Sequence, residues 1–538
     1  MKAPVETPAA AAPPPAAEPG SRFNWAQHLL DANLQRHDRI AFIDDRGTLS
    51  YGELDHSVRC LSAAMRSLGI KREERVLLLM HDCNHWPRAF LGAIHAGIVP
   101  VAVNTLLNAD DLAYMLEHTR AQAALVSGAL LPVLKAAMAK SDHEIGAVVV
   151  SNPVAPLQGG EHDFDAFIAA AEPQPRCAAT GADDPGFWLY SSGSTGRPKG
   201  TVHSQANAWW TAELYGKAVL QLREDDLCFS AAKLFFAYGL GNALTFPLSV
   251  GATTLLMAER PTPEAVFKRW QGATDTLGGR KPTVFYGAPT GFAGMLAHPQ
   301  LPARDSVSLR LVSSAGEALP ADLGERFKAH FGVDIVDGIG STEMLHIFIS
   351  NRPERVRYGS TGWPVPGYAI DLRAEGGGEV PDGEPGDLYI SGPSAAMMYW
   401  GNRTKTRDTF QGGWTKAGDK YVRNVDGSYT YSGRSDDMLK VSGVYVSPFE
   451  VEATLVQHPA VLEAALIGVA DADGLTKSRA YVVLKPGASV DEAELKAFVK
   501  DKLAPYKYPR QIEFISELPK TATGKIQRFR LREQAAGG

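Results

Sequence analysis

The first part of the chain alternates between short apolar runs and stretches with a helical pattern. Residues 75–80 form an apolar run that is typical of a buried parallel strand. A helix is expected over residues 86–96, where Gly97 would end it, and Asn108 is suited to cap a helix that reaches residue 118. Further strands are expected at residues 98–103, 123–127 and 147–151. This alternation predicts an α/β fold with layered, mainly parallel sheets flanked by helices.

The pattern changes after about residue 355, where glycine and proline become dense and residues 387–391 alternate as in a strand. This part predicts a small β-rich section. A last α+β unit of about a hundred residues, enough to fold alone, reads strand, helix, strand, strand, helix, with helices at 448–457 and 491–503 and strands at 464–469 and 480–484. We therefore predict a disordered Ala/Pro-rich tail at 1–21, an N-terminal domain at 22–433 and a mobile C-terminal domain at 434–538.

The composition excludes several classes of protein. Apolar residues make up 45% of the chain and charged residues 21%, which is typical of a globular protein. The net charge of −6 gives no general attraction to nucleic acid or to an anionic membrane. The four cysteines lack metal or disulfide spacing, and no apolar run reaches the roughly 20 residues of a membrane span. We expect a cytoplasmic protein with small-molecule ligands; a homodimer is compatible with the sequence, which leaves the oligomeric state open.

The most specific local signal is residues 190–200, which read YSSGSTGRPKG and follow the apolar residues 187–190. Glycines let several backbone N–H groups converge on one anion, while the hydroxyls and the cations Arg197 and Lys199 add donors and charge. The segment is not a Walker A motif, because Pro198 stands where that motif needs glycine. A flexible Ser/Gly linker would have a similar composition, but a linker rarely follows a buried strand. We therefore predict a loop that binds a polyphosphate.

This segment resembles the signature of the adenylate-forming superfamily, which contains acyl-CoA synthetases, luciferases and peptide-synthetase adenylation domains. Segments at 314–318, 337–343, 418–419, 431–443 and 519–528 resemble further motifs of that superfamily in the same order, so the resemblance covers residues 23–533. It implies an enzyme that joins a carboxylate to AMP and transfers the acyl group to coenzyme A. The implied phosphate-binding residues are Ser191, Ser192, Gly193, Ser194, Thr195, Gly196 and Lys199.

The resemblance also assigns roles to the later motifs. Lys525 would bridge the carboxylate and the α-phosphate, Thr342 would donate to that phosphate, and Glu343 would hold Mg²⁺ with the phosphate oxygens of ATP. The implied nucleotide-binding residues are Ala315, Gly316, Glu317, Asp337, Gly338, Ile339, Asp419 and Arg434. Ile339 departs from the family, which usually has an aromatic residue against adenine. The implied hinge and thioester-forming residues are Asp436, Lys440 and Gly443.

The acid substrate is implied to bind in a slot, here called the acid slot, formed by Phe236, Ala237, Tyr238, Gly340, His346 and Ile347. Two aromatic rings and a small residue suit a planar aromatic acid. Residues 190–252 most resemble benzoate–CoA ligases, so benzoate is the expected acid, with hydroxy-, amino- or halobenzoates and other small ring acids as rivals. The sequence also leaves open an enzyme that loads a separate carrier protein, a luciferase-like oxygenase and a nucleotide-binding sensor without catalysis.

Overall fold

A computed structural model describes residues 22–193, 196–434, 439–441, 444–470, 476–504, 507–520 and 526–537. Among the predicted site residues, Ser194, Thr195, Asp436, Gly443 and Lys525 lie outside the described residues. For Ser192, Gly193, Gly196 and Lys440 only the backbone is described.

The larger of two main sheets has nine strands. Its centre is parallel, from β1 through β11, β10, β12 and β13 to β14, and antiparallel strands close both edges. With strands numbered in chain order, the spatial order is β16 (Trp363–Pro364), β15 (Ile347–Ser350), β14 (Ile335–Gly340), β13 (Leu311–Ser314), β12 (Val284–Gly287), β10 (Leu227–Ser230), β11 (Thr253–Leu255), β1 (Ile40–Asp44) and β2 (Gly47–Ser50).

The second main sheet has eight strands and a parallel centre built from the apolar runs of the first part of the chain. An antiparallel hairpin closes one side. The spatial order is β19 (Met398–Tyr399), β9 (Gly196–Ser204), β8 (Pro185–Gly193), β4 (Val99–Ala102), β3 (Arg75–Leu79), β5 (Ala121–Ser127), β6 (Ala147–Ser151) and β7 (Glu161–Asp163). The two sheets confirm the predicted fold class of mainly parallel α/β layers.

Three smaller sheets follow in the part of the chain that the structure describes. The five-stranded sheet contains β17 (Ala369–Arg373), β18 (Pro385–Ser391), β21 (Trp414–Arg423), β20 (Phe410–Gln411) and β22 (Tyr429–Arg434). Near the C-terminus, β23 (Leu439–Val441) pairs with β24 (Val444–Val446), and β25 (Val461–Ala470), β26 (Thr476–Leu484) and β27 (Gln511–Phe514) form a three-stranded sheet. The first of these sheets is the predicted β-rich section.

The helices connect and cover these strands. They are α1 (Trp25–Ala32), α2 (Tyr51–Ser67), α3 (His85–Ala96), α4 (Ala109–Thr119), α5 (Leu131–Met138), α6 (Phe164–Ala169), α7 (Gln205–Thr211), α8 (Ala237–Leu240), α9 (Phe246–Val250), α10 (Pro263–Trp270), α11 (Pro289–Ala297), α12 (Ala321–Phe331), α13 (Arg403–Thr409), α14 (Pro448–Val456), α15 (Glu492–Lys502) and α16 (Arg528–Gly537). Two π-helical segments, Ala212–Lys217 and Gly241–Thr245, continue α7 and α8. No helix in the described part of the chain is long and apolar enough to cross a membrane.

The predicted helix boundaries have the expected local causes. Gly97 ends α3 with a φ of 75°, a left-handed conformation that glycine adopts without strain. The side chain of Asn108 accepts hydrogen bonds from the N–H groups of Asp110 and Asp111 at the start of α4. These caps explain why single residues in the sequence predict where α3 ends and where α4 begins.

The hydrophobic interior is divided between the two parts of the chain. Four apolar clusters draw their buried members from residues between Phe23 and Tyr429, on both faces of the two main sheets. Two further clusters draw theirs from residues between Leu439 and Leu531. Separate cores are what a C-terminal unit needs if it is to move as one body.

Candidate functional site

The polyphosphate motif at 190–200 is expected to be a loop, but most of it is an antiparallel hairpin. Strands β8 and β9 extend to Gly193 and Gly196, and Ser191 lies opposite Lys199. Strand β9 also pairs with β19 on its other side. The strands reach further than expected because the two halves of the motif pair with each other, from Tyr190 opposite Gly200 to Gly193 opposite Gly196. We call β8 and β9 together the phosphate hairpin.

Lys199 projects from the phosphate hairpin toward Tyr399. Its Nζ lies 3.3 Å from the Tyr399 hydroxyl and 4.4 Å from the centre of that ring. Burial lowers the pKa of Lys199, and the nearby cations Lys405 and Arg434 lower it further, while Glu343 opposes this effect. The positive charge of Arg434 therefore lies near enough to Lys199 to affect the pKa of its ammonium group.

Glu343 follows β14 and faces the phosphate hairpin. One carboxylate oxygen, Oε1, accepts a 2.6 Å hydrogen bond from the Tyr399 hydroxyl and lies 3.9 Å from Lys199 Nζ. The Glu343 backbone carbonyl accepts a 2.7 Å bond from the Ala396 N–H. The side chains of Lys199 and Glu343 are each less than a fifth exposed. A cation of strand β9, in one main sheet, thus approaches a carboxylate in the segment that follows β14 of the other.

His203 connects the phosphate hairpin to Thr342. Its Nε2 lies 2.9 Å from the Thr342 carbonyl oxygen. Because a carbonyl can only accept a hydrogen bond, Nε2 is the donor. Its Nδ1 consequently accepts the 2.9 Å bond from the Asn207 amide. Burial lowers the pKa of His203 to about 4, so the ring is neutral near pH 7. This neutral ring holds the Thr342 backbone against β9.

The predicted adenine-binding residues lie at the carboxyl ends of two neighbouring strands. Ser314 at the end of β13 lies opposite Asp337 in β14, so Ala315, Gly316 and Glu317 begin beside Asp337. Burial holds the pKa of Asp337 well above its usual range. The carboxyl edge of a parallel sheet is the usual place for a ligand in such folds.

Glu317 and Asp419 already have partners in this site. The Thr290 hydroxyl donates to Glu317 at 2.8 Å. Asp419 lies opposite Arg434 across β21 and β22, with 3.9 Å between Arg434 Nη1 and Asp419 Oδ1. This pair is the one predicted to contact the ribose of the nucleotide.

Residues of the predicted acid slot meet around His346. Its ring centre lies 5.5 Å from that of Tyr238, and its Nε2 donates to the Tyr238 carbonyl over 3.3 Å. Burial lowers the pKa of His346 to about 3, so this ring is also neutral. Its Nδ1 is buried without a hydrogen-bond partner among the described residues. The Tyr238 hydroxyl donates to Ser313 at 3.2 Å, which joins the slot to the end of β13.

Both π-helical segments pack against the same histidine. The ring of Tyr215, in the first segment, lies 5.4 Å from that of His346, and the ring of Phe246, which begins α9 directly after the second segment, lies 4.5 Å from it. A Cβ on Gly241 would come within 2.3 Å of the His346 ring, so glycine is needed for this close approach. Irregular helices of this kind often occur at functional sites.

The other predicted slot residues surround this contact. Phe236 precedes α8 and Ala237 begins it, and both are partly buried. Gly340 ends β14, where a Cβ would lie 2.5 Å from the His346 carbonyl oxygen. Ile347 begins β15 and is buried against Gly338, whereas the side chain of Ile339 is half-buried. Among the predicted hinge residues, Lys440 lies in β23.

Two matches to family sequence profiles add to this geometry. The profile described as AMP-binding enzyme matches residues 30–400, and that of the AMP-binding enzyme C-terminal domain matches residues 450–525. The chain belongs to the AMP-binding enzyme family. The first match covers the phosphate hairpin, Thr342 and Glu343, and it ends just after Tyr399.

Several relatives of this AMP-binding enzyme match it over almost their whole length. The benzoate–CoA ligase of Thauera aromatica is 53% identical over 526 residues, covering 96% of this chain and 97% of the relative. The 4-hydroxybenzoate–CoA/benzoate–CoA ligase of Rhodopseudomonas palustris is 46% identical over 529 residues, covering 96% and 95%. The crystal structure of a benzoate CoA ligase from Burkholderia xenovorans LB400 is 57% identical, with a TM-score of 0.88, and covers 95% of this chain and 100% of that one.

Three residues of this AMP-binding enzyme's site were not found by sequence reasoning: Tyr399, His203 and Asn207. Tyr399 lies in a two-residue strand with no recognisable pattern of its own, and it reaches Glu343 only because β19 pairs with β9. His203 lies three residues after the end of the motif at 190–200, and that position was the one available signal. Nothing in the sequence around Asn207 indicates its bond to His203.

Proposed function

We propose that this enzyme converts benzoate, ATP and coenzyme A into benzoyl-CoA, AMP and diphosphate through a benzoyl-AMP intermediate. The observation that carries the proposal is the approach of Lys199 to Glu343 in the segment after β14, which also contains Thr342 and leads to His346, beside Tyr238, in the predicted acid slot. The relatives from Thauera aromatica and Burkholderia xenovorans, named as benzoate–CoA ligases, support the same acid and acceptor.

The first step joins the acid to AMP. A carboxylate oxygen of benzoate attacks the α-phosphorus, the bond from that phosphorus to the bridging oxygen of the β-phosphate breaks, and diphosphate leaves. The N–H groups of residues 191–196, Lys199 and Thr342 would bind phosphate oxygens. Lys525 would lie between the carboxylate and the α-phosphate, where its charge offsets the repulsion between two anions.

Mg²⁺ is the metal that this chemistry calls for, and Glu343 fits it. Tyr399 and Lys199 both approach Oε1, and none of the described residues bonds the second oxygen, Oε2. A single carboxylate combined with phosphate oxygens is a common way for proteins to hold Mg²⁺. When bound, the ion would offset negative charge on the triphosphate.

The nucleotide would bind along the ends of β13 and β14. Ala315, Gly316, Glu317, Asp337, Gly338 and Ile339 would line the adenine. Ile339 offers an aliphatic face in place of a stacking ring. Asp419 would accept from the ribose hydroxyls, and Arg434, opposite it across the strands, would contribute a further ribose contact.

The second step transfers the acyl group. The thiolate of coenzyme A attacks the carbonyl carbon of benzoyl-AMP, the bond from that carbon to the phosphate oxygen breaks, and AMP leaves. A rotation of the C-terminal domain about Asp436 would withdraw Lys525 and bring Lys440 and Gly443 to the site. Because ATP and coenzyme A are the co-substrates, we assign the reaction to the cytoplasm.

A panel of acids tests the substrate. We expect kcat/KM for benzoate to exceed that for acetate by at least roughly 70-fold, because a phenyl ring removes on the order of 100 Å² more apolar surface from water than a methyl group, about 2.5 kcal/mol. The measurement is diphosphate release with benzoate, 4-hydroxybenzoate, acetate and palmitate, each with and without coenzyme A. Equal values for acetate and benzoate would contradict the aromatic substrate, and diphosphate release without any thioester product would contradict the acceptor.

A further inference from the structure

Tyr399 lies between the two charged groups of the proposed phosphate and metal site. Its hydroxyl donates to Glu343 Oε1 at 2.6 Å and lies 3.3 Å from Lys199 Nζ, while the ammonium group also lies over the ring. The direct separation of Lys199 Nζ from Glu343 Oε1 is 3.9 Å. The tyrosine thus bridges a cation and an anion that do not themselves form a close pair.

The fold holds Tyr399 in this position from several sides. Its backbone pairs with Thr201 of β9, and its N–H donates to the Thr406 hydroxyl at 3.1 Å. Its ring lies 5.4 Å from that of Phe410, and the residue is 3% exposed. The same segment also reaches the Glu343 backbone through the Ala396 N–H. Residues 396–399 therefore hold both the main chain and the carboxylate of Glu343.

This arrangement matters for binding a metal–triphosphate complex. Without the hydroxyl, the ammonium and the carboxylate could close into a direct ion pair, which a ligand would then have to separate in a partly buried place. With the hydroxyl, one carboxylate oxygen is fixed and the ammonium rests on the ring.

We infer that Tyr399 is a positioning residue for the adenylation step: it fixes Oε1 of Glu343, leaves Oε2 for the metal, and keeps Lys199 apart from Glu343 until the triphosphate arrives. The inference rests on the proposed function, because it assumes the roles of Lys199 and Glu343 given there. It adds a residue that touches neither the acid nor the metal directly and acts through Glu343, the proposed metal ligand, and Lys199, a proposed phosphate ligand.

The affinity of the Tyr399→Phe variant for a divalent metal tests the inference. We expect Mn²⁺, followed by electron paramagnetic resonance in the presence of α,β-methylene-ATP, to bind about tenfold more weakly, the size expected for one hydrogen bond to a charged group. In turnover, KM for the metal–ATP complex should rise about tenfold while kcat changes less than about threefold. A thermal melt within a few degrees of the unmodified enzyme would show that the variant is folded.

Tyr358→Phe is the matched control. The Tyr358 hydroxyl also donates to a carboxylate, that of Asp334 at 2.9 Å, but Asp334 precedes β14 and so lies at the opposite end of that strand from Glu343. This variant should leave Mn²⁺ affinity unchanged. Equal loss in the two variants would mean that the effect comes from general destabilisation, and the inference would be wrong.

Glu343→Gln separates failure of the inference from failure of the proposed function. If Glu343→Gln weakens Mn²⁺ binding and Tyr399→Phe does not, the role of Tyr399 is wrong and the metal site stands. If neither variant weakens binding, the metal assignment of Glu343 is wrong and the inference falls with it. The double variant should bind Mn²⁺ no more weakly than Glu343→Gln alone, and additive losses would overturn the proposed coupling.

Discussion

Replacing Lys525 by alanine is expected to abolish formation of benzoyl-AMP and to spare the transfer of a supplied benzoyl-AMP to coenzyme A. Adenylation brings a carboxylate against an α-phosphate whose oxygens are also negative. A single hydrogen-bond donor positioned at a developing charge raises the rate by about 10²–10³. A full positive charge at the same place should raise the rate by at least the upper end of that range. The second step needs no such bridge, because its electrophile is an acyl carbon and its leaving group is already AMP.

Two assays check this expectation. Diphosphate release with benzoate and ATP should fall by on the order of 10³, whereas benzoyl-CoA formation from synthetic benzoyl-AMP should change less than about threefold. Lys520→Ala is the matched control, since Lys520 lies five residues earlier and pairs with Glu463 at 2.5 Å. Equal loss of both half-reactions in Lys525→Ala, or an equal effect in the control, would contradict the role given to Lys525.

Glu343→Gln is expected to have the second largest effect. The substitution keeps the shape of the side chain but removes the negative charge that would hold the metal and that now faces Lys199 and Tyr399. We expect kcat/KM for the metal–ATP complex to fall roughly 10²-fold, in the range of losses at electrostatic groups in active sites. Transfer of supplied benzoyl-AMP to coenzyme A should persist, because the proposed role of Glu343 belongs to the triphosphate.

The measurement is the rate of diphosphate release as Mg²⁺ is titrated at fixed ATP. A shift of the half-saturating Mg²⁺ concentration to higher values would support a metal ligand, and an unchanged concentration with a lower plateau would contradict it. Glu264→Gln provides a control at an exposed carboxylate of α10 that pairs with His298. That variant should behave as the unmodified enzyme in both half-reactions.

Much of the fold could be predicted because its signals are local. The apolar runs became strands at nearly the expected residues, as in β6, and the caps at Gly97 and Asn108 ended or began helices as expected. The extent of the phosphate hairpin could not be predicted from local signals. The composition of a glycine-rich segment indicates a loop, and only the pairing of its two halves, as β8 and β9, makes this one a hairpin.

Part of the candidate site could likewise be predicted from the sequence, and part could not. The predicted site residues came from the order and spacing of the motifs. Two of them, Lys199 and Glu343, lie close to each other in the structure. The bridge through Tyr399 and the bond from His203 to the Thr342 carbonyl were not predictable, because each joins residues 56 or 139 positions apart. No periodicity relates such residues, and only the tertiary packing of remote segments brings them within hydrogen-bond distance.

By itself, the sequence determined the α/β class, the order of the elements and the residue types available for polyphosphate chemistry, because strand and helix patterns, caps and glycine-rich motifs act over a few residues. Tertiary structure decided which of those side chains share a site, and which neutral groups hold the charged ones in place. The physical reason is that hydrogen bonds and ion pairs extend over about 3 to 4 Å, a distance that the chain reaches between remote residues only after its sheets have packed.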